Sequence, residues 1–239
     1  MDVAPPRIAT LGILGAGRLG RVLARLGASA GYRVMVAASG DPVPIARAVA
    51  ALGATASTTA SVIAEADAVV LALPLHRYRM LPAEQFRGTL VIDAMNYWWG
   101  DGVRDDLSDP RTSTSETVQR FLAGSRVVKA LGHMGYQDLE DEARAAGAPG
   151  RKAIAVAGDD PDDLDVVCRL VDDLGFDPVV AGPLAAGIML EPGAEAFDAD
   201  VEAAELRAML ERFPRSQRGI VVARARGGRL WGKGSGPDD

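Results

Sequence analysis

Cysteine is almost missing from this chain: Cys168 stands alone among 239 residues, which excludes an intramolecular disulfide and a cysteine-built metal cage. Its neighbours Val166, Val167, Leu170 and Val171 mark it as a small buried helix residue and not a reactive thiol. Histidine occurs only twice, at His76 and His133. Positive charge is not in excess either, and the formal net charge of -6 argues against nucleic acid as a general partner. Long hydrophobic runs are lacking, since Ala68 to Leu73 is far too short to span a bilayer and no membrane partner is expected. Met1 to Arg7 has neither the basic start nor the apolar core of a secretory signal, so a cytoplasmic protein is expected. What remains is a 48% apolar share, enough for the packed core of one large or two small domains.

The chain is organised around Ile8 to Gly31. An apolar strand, Ile8 to Leu14, runs into Gly15-Ala16-Gly17-Arg18-Leu19-Gly20, and then into a helix whose apolar face is Leu19, Val22, Leu23 and Leu26. Such a turn needs Gly15 for tightness, Gly17 so that backbone can approach a pyrophosphate, and Gly20 for packing of helix on strand. The helix start turns free N–H groups and a positive dipole end toward the same point. A dinucleotide cofactor is the expected ligand.

Arg33 to Ala38 follows as a second parallel strand, and its tip, Ser39-Gly40-Asp41-Pro42, decides the cofactor. An acid at the tip would hold the ribose 2′-OH of NAD and repel a 2′-phosphate. Ser39 is neutral there, which favours NADP; Asp41 lies close by, so NAD stays open. Further elements alternate: a helix from Pro44 to Leu52, another from Thr59 to Ala66, a buried strand Asp67 to Leu73 ended by Pro74, and a fifth strand Gly88 to Asp93. Leu73 and Pro74 should border the ribose and nicotinamide, because strand carboxyl ends face the crevice. His76, Arg77 and Tyr78 either touch phosphate or substrate, or form a polar helix start. Trp98 and Trp99 either cover core or a subunit contact, or line a planar substrate's pocket.

Ser113 to Glu116 carries a capping-box pattern for a helix through Leu122, and Arg126 to Leu131 is the next strand. It delivers His133 between glycines to the crevice, where it either donates to a carbonyl or carboxamide or serves the structure. The run Asp138 to Glu142 is a solvated helix start and not a metal site, since no histidine lies within it. Asp160 and Pro161 form an N-cap and first turn for a helix through Leu174, with strands Lys152 to Ala157 and Phe176 to Val180 on either side. Asp200 to Phe213 is expected to be the last helix. Beyond Pro214 lies a basic, Gly-rich tail, expected to be mobile, in which Ile220 to Val222 can dock as a short strand. The expected organisation is a Rossmann-type doubly wound α/β domain over 1–131, a smaller C-terminal α/β portion over 132–213 that completes the substrate cleft, and the tail over 214–239.

The order of these motifs resembles the NADP oxidoreductases that use the deazaflavin coenzyme F420. The matching stations are Gly15 to Gly20, Ser39, Leu73-Pro74, Val127 to Leu131, Gly158-Asp159-Asp160 and Ala181 to Leu184, spanning about Ile8 to Leu190. The resemblance implies that Gly15, Ala16, Gly17, Arg18, Leu19 and Gly20 hold the pyrophosphate, Ser39 the 2′-phosphate, and Leu73 with Pro74 the ribose side, with His76 nearby. It implies that Met95, Leu131, His133 and Met134 lie near the nicotinamide or its hydride partner. Three departures stand out: Gly40 replaces an arginine, Gly132 replaces asparagine or histidine, and Gly187 to Phe197 replaces an apolar C-terminal helix.

The expected activity is hydride transfer between NADP(H) and a small planar acceptor, coenzyme F420 first, with His133 as the candidate catalytic group. Two alternatives are a reductase of a small imine or carbonyl and a non-catalytic NADP(H) sensor. The expected partner is a small-molecule hydride acceptor, and a homodimer stays open, although the residues after Leu184 are too few for the large helical dimerisation domain that the imine or carbonyl reductases use.

Overall fold

The structure is a computed structural model and describes residues 8–98 and 105–227. Eight strands form one sheet in the order β3-β2-β1-β4-β5-β6-β7-β8. They are β1 (Thr10–Leu14), β2 (Arg33–Ala37), β3 (Thr55–Ala56), β4 (Ala68–Leu71), β5 (Leu90–Asp93), β6 (Arg126–Lys129), β7 (Ala153–Ala157) and β8 (Asp177–Gly182). Strands β1 to β6 pair in parallel; β7 meets β6 antiparallel through Lys129 and Ala157, and β8 runs parallel to β7. The first six follow the doubly wound Rossmann order, with its switch point between β1 and β4.

Period-two alternation sends successive side chains to opposite faces. In β4, Ala68 and Val70 face one core, and Val69 and Leu71 the other. The first core is closed by α1 (Arg18–Ser29) and α7 (Pro161–Asp173), through Val22, Leu23, Val167 and Leu170. The second is closed by α3 (Thr59–Glu65) and α5 (Thr114–Phe121), through Val62, Ile63 and Val118. Ala153, Ala155 and Ala157 of β7 face a third cluster. It also contains Ile188 and Leu190 of the 3-10 turn Leu184–Leu190, Leu206 of α8 (Ala203–Arg212) and Val222 of α9 (Gln217–Ala225). The C-terminal portion therefore extends the same sheet.

The remaining helices are α2 (Val43–Ala50), α4 (Asp105–Ser108) and α6 (Tyr136–Asp141). Both expected caps form. Asp160 accepts from the Asp162 and Asp163 amides with Pro161 in the first turn, and Ser113 and Glu116 close a reciprocal capping box. The expectation for the tail is corrected: Ile220 to Val222 lie in α9, not in a strand or a mobile segment. The Ser216 hydroxyl caps that helix by accepting from the Gly219 amide, and Val222 is 1% exposed against the third cluster. Residues 228–239 and Trp99 lie outside the described residues.

Candidate nucleotide-binding site

The turn from β1 to α1 is built by two contacts that exclude side chains. Gly15 has φ +125°, and a Cβ placed on it would sit 2.1 Å from the Ala72 carbonyl oxygen of the adjacent chain segment. At Gly20 a Cβ would sit 1.8 Å from the Gly15 carbonyl oxygen. Both positions therefore need glycine for the protein's own packing. Gly17 differs, for a Cβ there would meet nothing within 4 Å, so its glycine serves space in front of the helix. Gly17 is also the N-cap of α1, with no side-chain cap and no acidic residue in the first turn. Uncapped amides and the positive end of the helix dipole thus face open space, the arrangement that accepts a diphosphate.

Ala16 and Leu19 are half-buried against the first core. Arg18 is exposed, its Nη1 donates to the Tyr136 hydroxyl at 2.8 Å, and its guanidinium lies 5.6 Å from that ring's centre. It borders the helix start while tethered to α6. Ser39 is exposed at the tip of β2, and Gly40 beside it has φ +98°, a conformation that suits glycine and would strain the arginine of the related pattern. One oxygen of the exposed Asp41 carboxylate accepts from the Val43 amide at 2.8 Å and braces the start of α2. Leu73 is half-buried and Pro74 exposed at the end of β4, while His76 is half-buried in the 3-10 turn Leu75–Met80.

The expected nicotinamide-facing set is corrected by burial. Met95 is 2% exposed, Leu131 0%, Met134 3% and His133 1%, so their side chains are core and not cleft lining. His133 has no nitrogen left for an acceptor: Nδ1 donates to the Ala196 carbonyl at 3.1 Å and Nε2 accepts from the Ala155 amide at 2.9 Å. Those partners imply the neutral Nδ1–H tautomer. Burial, with Lys129 nearby adding to it and the Ala196 bond opposing it, pushes the imidazole down to about 4. His133 is a structural tie between the loop after β6, the middle of β7 and the segment before α8. Trp98 is half exposed and meets Phe197 edge-on at 5.5 Å.

Three residues at the carboxyl ends of β5 and β6 were not singled out as site residues by sequence. Asp93 and Lys129 are paired in register and both fully buried. Asp93 accepts from the Met95 amide at 2.9 Å and the Ser115 hydroxyl at 2.6 Å, while Lys129 Nζ donates to the Met95 carbonyl and lies 3.9 Å from Asp93. Asn96 Nδ2 donates to the Gly132 carbonyl. These bonds hold the loop after β5 against the loop after β6, which makes Asp93, Lys129 and Asn96 positioning residues. The available signal was a charge closing each apolar run, Asp93 after Leu90 to Ile92 and Lys129 after Val127 and Val128.

The comparisons with known proteins agree with this geometry. Residues 10–97 match the family model described as NADP oxidoreductase, coenzyme F420-dependent. The Escherichia coli K12 protein YjhV is 42% identical over 78 residues, which are 33% of this chain and 55% of that protein. A hypothetical protein of Sinorhizobium meliloti has a similar structure, with TM-score 0.72 and 26% identity over 81% of this chain and 95% of the other. A proposed F420-dependent NADP reductase from Arthrobacter sp. FB24 has TM-score 0.62 and 26% identity, covering 77% and 90% of the two chains. The family match over residues 10–97 falls on the strand–glycine turn–helix unit and the strands that follow it through β5, and the chain spans about half the length of the curated relative it resembles.

Proposed function

We propose that the protein transfers a hydride between NADP(H) and a planar acceptor, coenzyme F420 being the first candidate. One observation carries this reading: Gly17 opens onto free space at the uncapped start of α1, beside the β1/β4 switch point. The cofactor would supply the hydride, two electrons with one hydrogen, and water would supply the accompanying proton. The chain's own part is to bind and orient. The amides at Gly17 to Gly20 hold the diphosphate, Ser39 offers a hydroxyl to the 2′-phosphate, and Leu73 with Pro74 limits the ribose side. The Asp93–Lys129–Met95 network keeps the floor of the cleft rigid, and such transfer depends on two carbons held about 3 to 3.5 Å apart with water excluded.

No proton donor is required of His133, which agrees with its burial. The same burial also favours the competing reading, a nucleotide sensor without turnover. Mixing the pure protein with NADPH and oxidised deazaflavin, and following both absorption bands, separates the two. The enzyme reading expects both bands to fall together at a rate proportional to protein. Tight NADPH binding with unchanged bands supports the sensor, and no binding of either nucleotide sinks both.

A further inference from the structure

The first residue of α6 meets the first residue of α1. Arg18 directly follows Gly17, and helical side chains lean toward the helix start, so its charged head stays at the end where the amides are uncapped. There its Nη1 donates to the Tyr136 hydroxyl at 2.8 Å, and its guanidinium carbon lies 5.6 Å from the centre of the Tyr136 ring. The helix that carries Tyr136 does not need this bond to stay in place. Leu139 is 0% exposed in the first core, the Tyr136 ring packs against that core, and Glu140 pairs with Arg25 at 2.5 Å two turns along α1. The hydrogen bond therefore fixes the arginine more than it fixes the helix.

An exposed arginine samples many rotamers, and one that must grip a ligand loses that freedom on binding. At Arg18 part of the loss is met beforehand, by the hydrogen bond and by the ring face beside the guanidinium. The grip itself is unspent, since among the described residues Nε and Nη2 of Arg18 have no hydrogen-bond partner. A guanidinium presents its N–H groups in a planar fork that matches phosphate oxygens, and such charge-assisted bonds are the strong ones. The anion within its reach is the one that the uncapped amides of α1 accept, a diphosphate. A 2′-phosphate is expected at a different strand end, the tip of β2, where Ser39 stands.

We propose that Tyr136 is a positioning residue for the dinucleotide, holding the Arg18 guanidinium ready to donate to the cofactor's diphosphate. The inference rests on the nucleotide reading, and a double-mutant cycle tells its failure from the failure of that reading. NADPH and NADH are each titrated by calorimetry into the full chain as wild type, Arg18→Ala, Tyr136→Leu and the double variant, with thermal unfolding of each measured alongside. Wild type is expected to bind, Arg18→Ala about tenfold more weakly and Tyr136→Leu about fivefold more weakly. In the Arg18→Ala background, Tyr136→Leu should change affinity by less than about twofold, because a residue that acts through Arg18 has nothing left to position. A merely structural Tyr136 would weaken binding by the same factor in both backgrounds. Both nucleotides carry the diphosphate, so the factors should agree between NADPH and NADH. Tyr136→Phe, which keeps the ring and drops the hydroxyl, should fall between wild type and Tyr136→Leu, and it takes the place of the leucine variant in the cycle should that variant not fold. Additive losses, an unchanged or tighter Kd in the Tyr136 variants, or a loss confined to NADPH would each overturn the inference while the nucleotide reading stands. No binding by wild type would overturn both.

Discussion

A histidine flanked by glycines after a strand has the pattern of a catalytic group, and only its neighbours show otherwise. Both nitrogens of His133 are committed to backbone partners, and the ring is 1% exposed. Its folded pKa of about 4 lies below the ordinary 6.5. Between these values the unfolded chain binds the proton that the folded ring refuses, so stability is full above about pH 6.5 and is lost as pH falls toward 4. The shift corresponds to at most about 3 kcal/mol. Glu191, raised by burial, changes in the opposite sense, so the effect of His133 must be isolated. The stability gap between wild type and His133→Asn, from urea unfolding at pH 7, 5.5 and 4, should narrow steadily as pH falls. A gap independent of pH would show that the ring is not held neutral. Nothing in the glycine flanks could reveal this, because the partners Ala155 and Ala196 come from distant elements.

At the scale of the element, the β1–α1 unit was legible, because its three glycines have local reasons. The structure divides those reasons. Gly15 and Gly20 are needed by the protein's own backbone, whereas Gly17 borders open space. Gly15→Val, with a positive φ and a Cβ on the Ala72 carbonyl, should cost at least about 3 kcal/mol in thermal or urea unfolding. Gly17→Val should cost less than about 1 kcal/mol yet weaken NADPH binding by at least about tenfold, measured by calorimetry. Equal loss of stability in both would refute the division. The helix caps at Ser113 and Asp160 were likewise legible from side chains a few residues apart. α9 was not, since its glycine- and arginine-rich surroundings suit a solvated tail, and its helix is secured by Val222 packing on the third cluster.

The whole molecule is held by one sheet. β7 joins β6 antiparallel, and the third cluster packs against the same strands whose other face belongs to the first core. Buried ties hold neighbouring strands together: His133 joins the loop after β6 to the middle of β7, and the Asp93–Lys129 pair joins the ends of β5 and β6. We expect a single cooperative thermal transition, coincident by far-UV and near-UV circular dichroism, shifted upward by saturating NADPH as binding to the native state requires. Two separated transitions would show that residues beyond 131 fold as an independent unit.

The sequence by itself determined the elements whose causes are local: buried strands from apolar runs, helix starts from capping residues, and a nucleotide turn from glycines at fixed spacing. Tertiary structure alone decided which polar groups are free to act, because access and pairing depend on residues far apart in the chain. It withdrew His133, Met95 and Leu131 from the cleft, joined Asp93 to Lys129 across adjacent strands, and laid Tyr136 against Arg18.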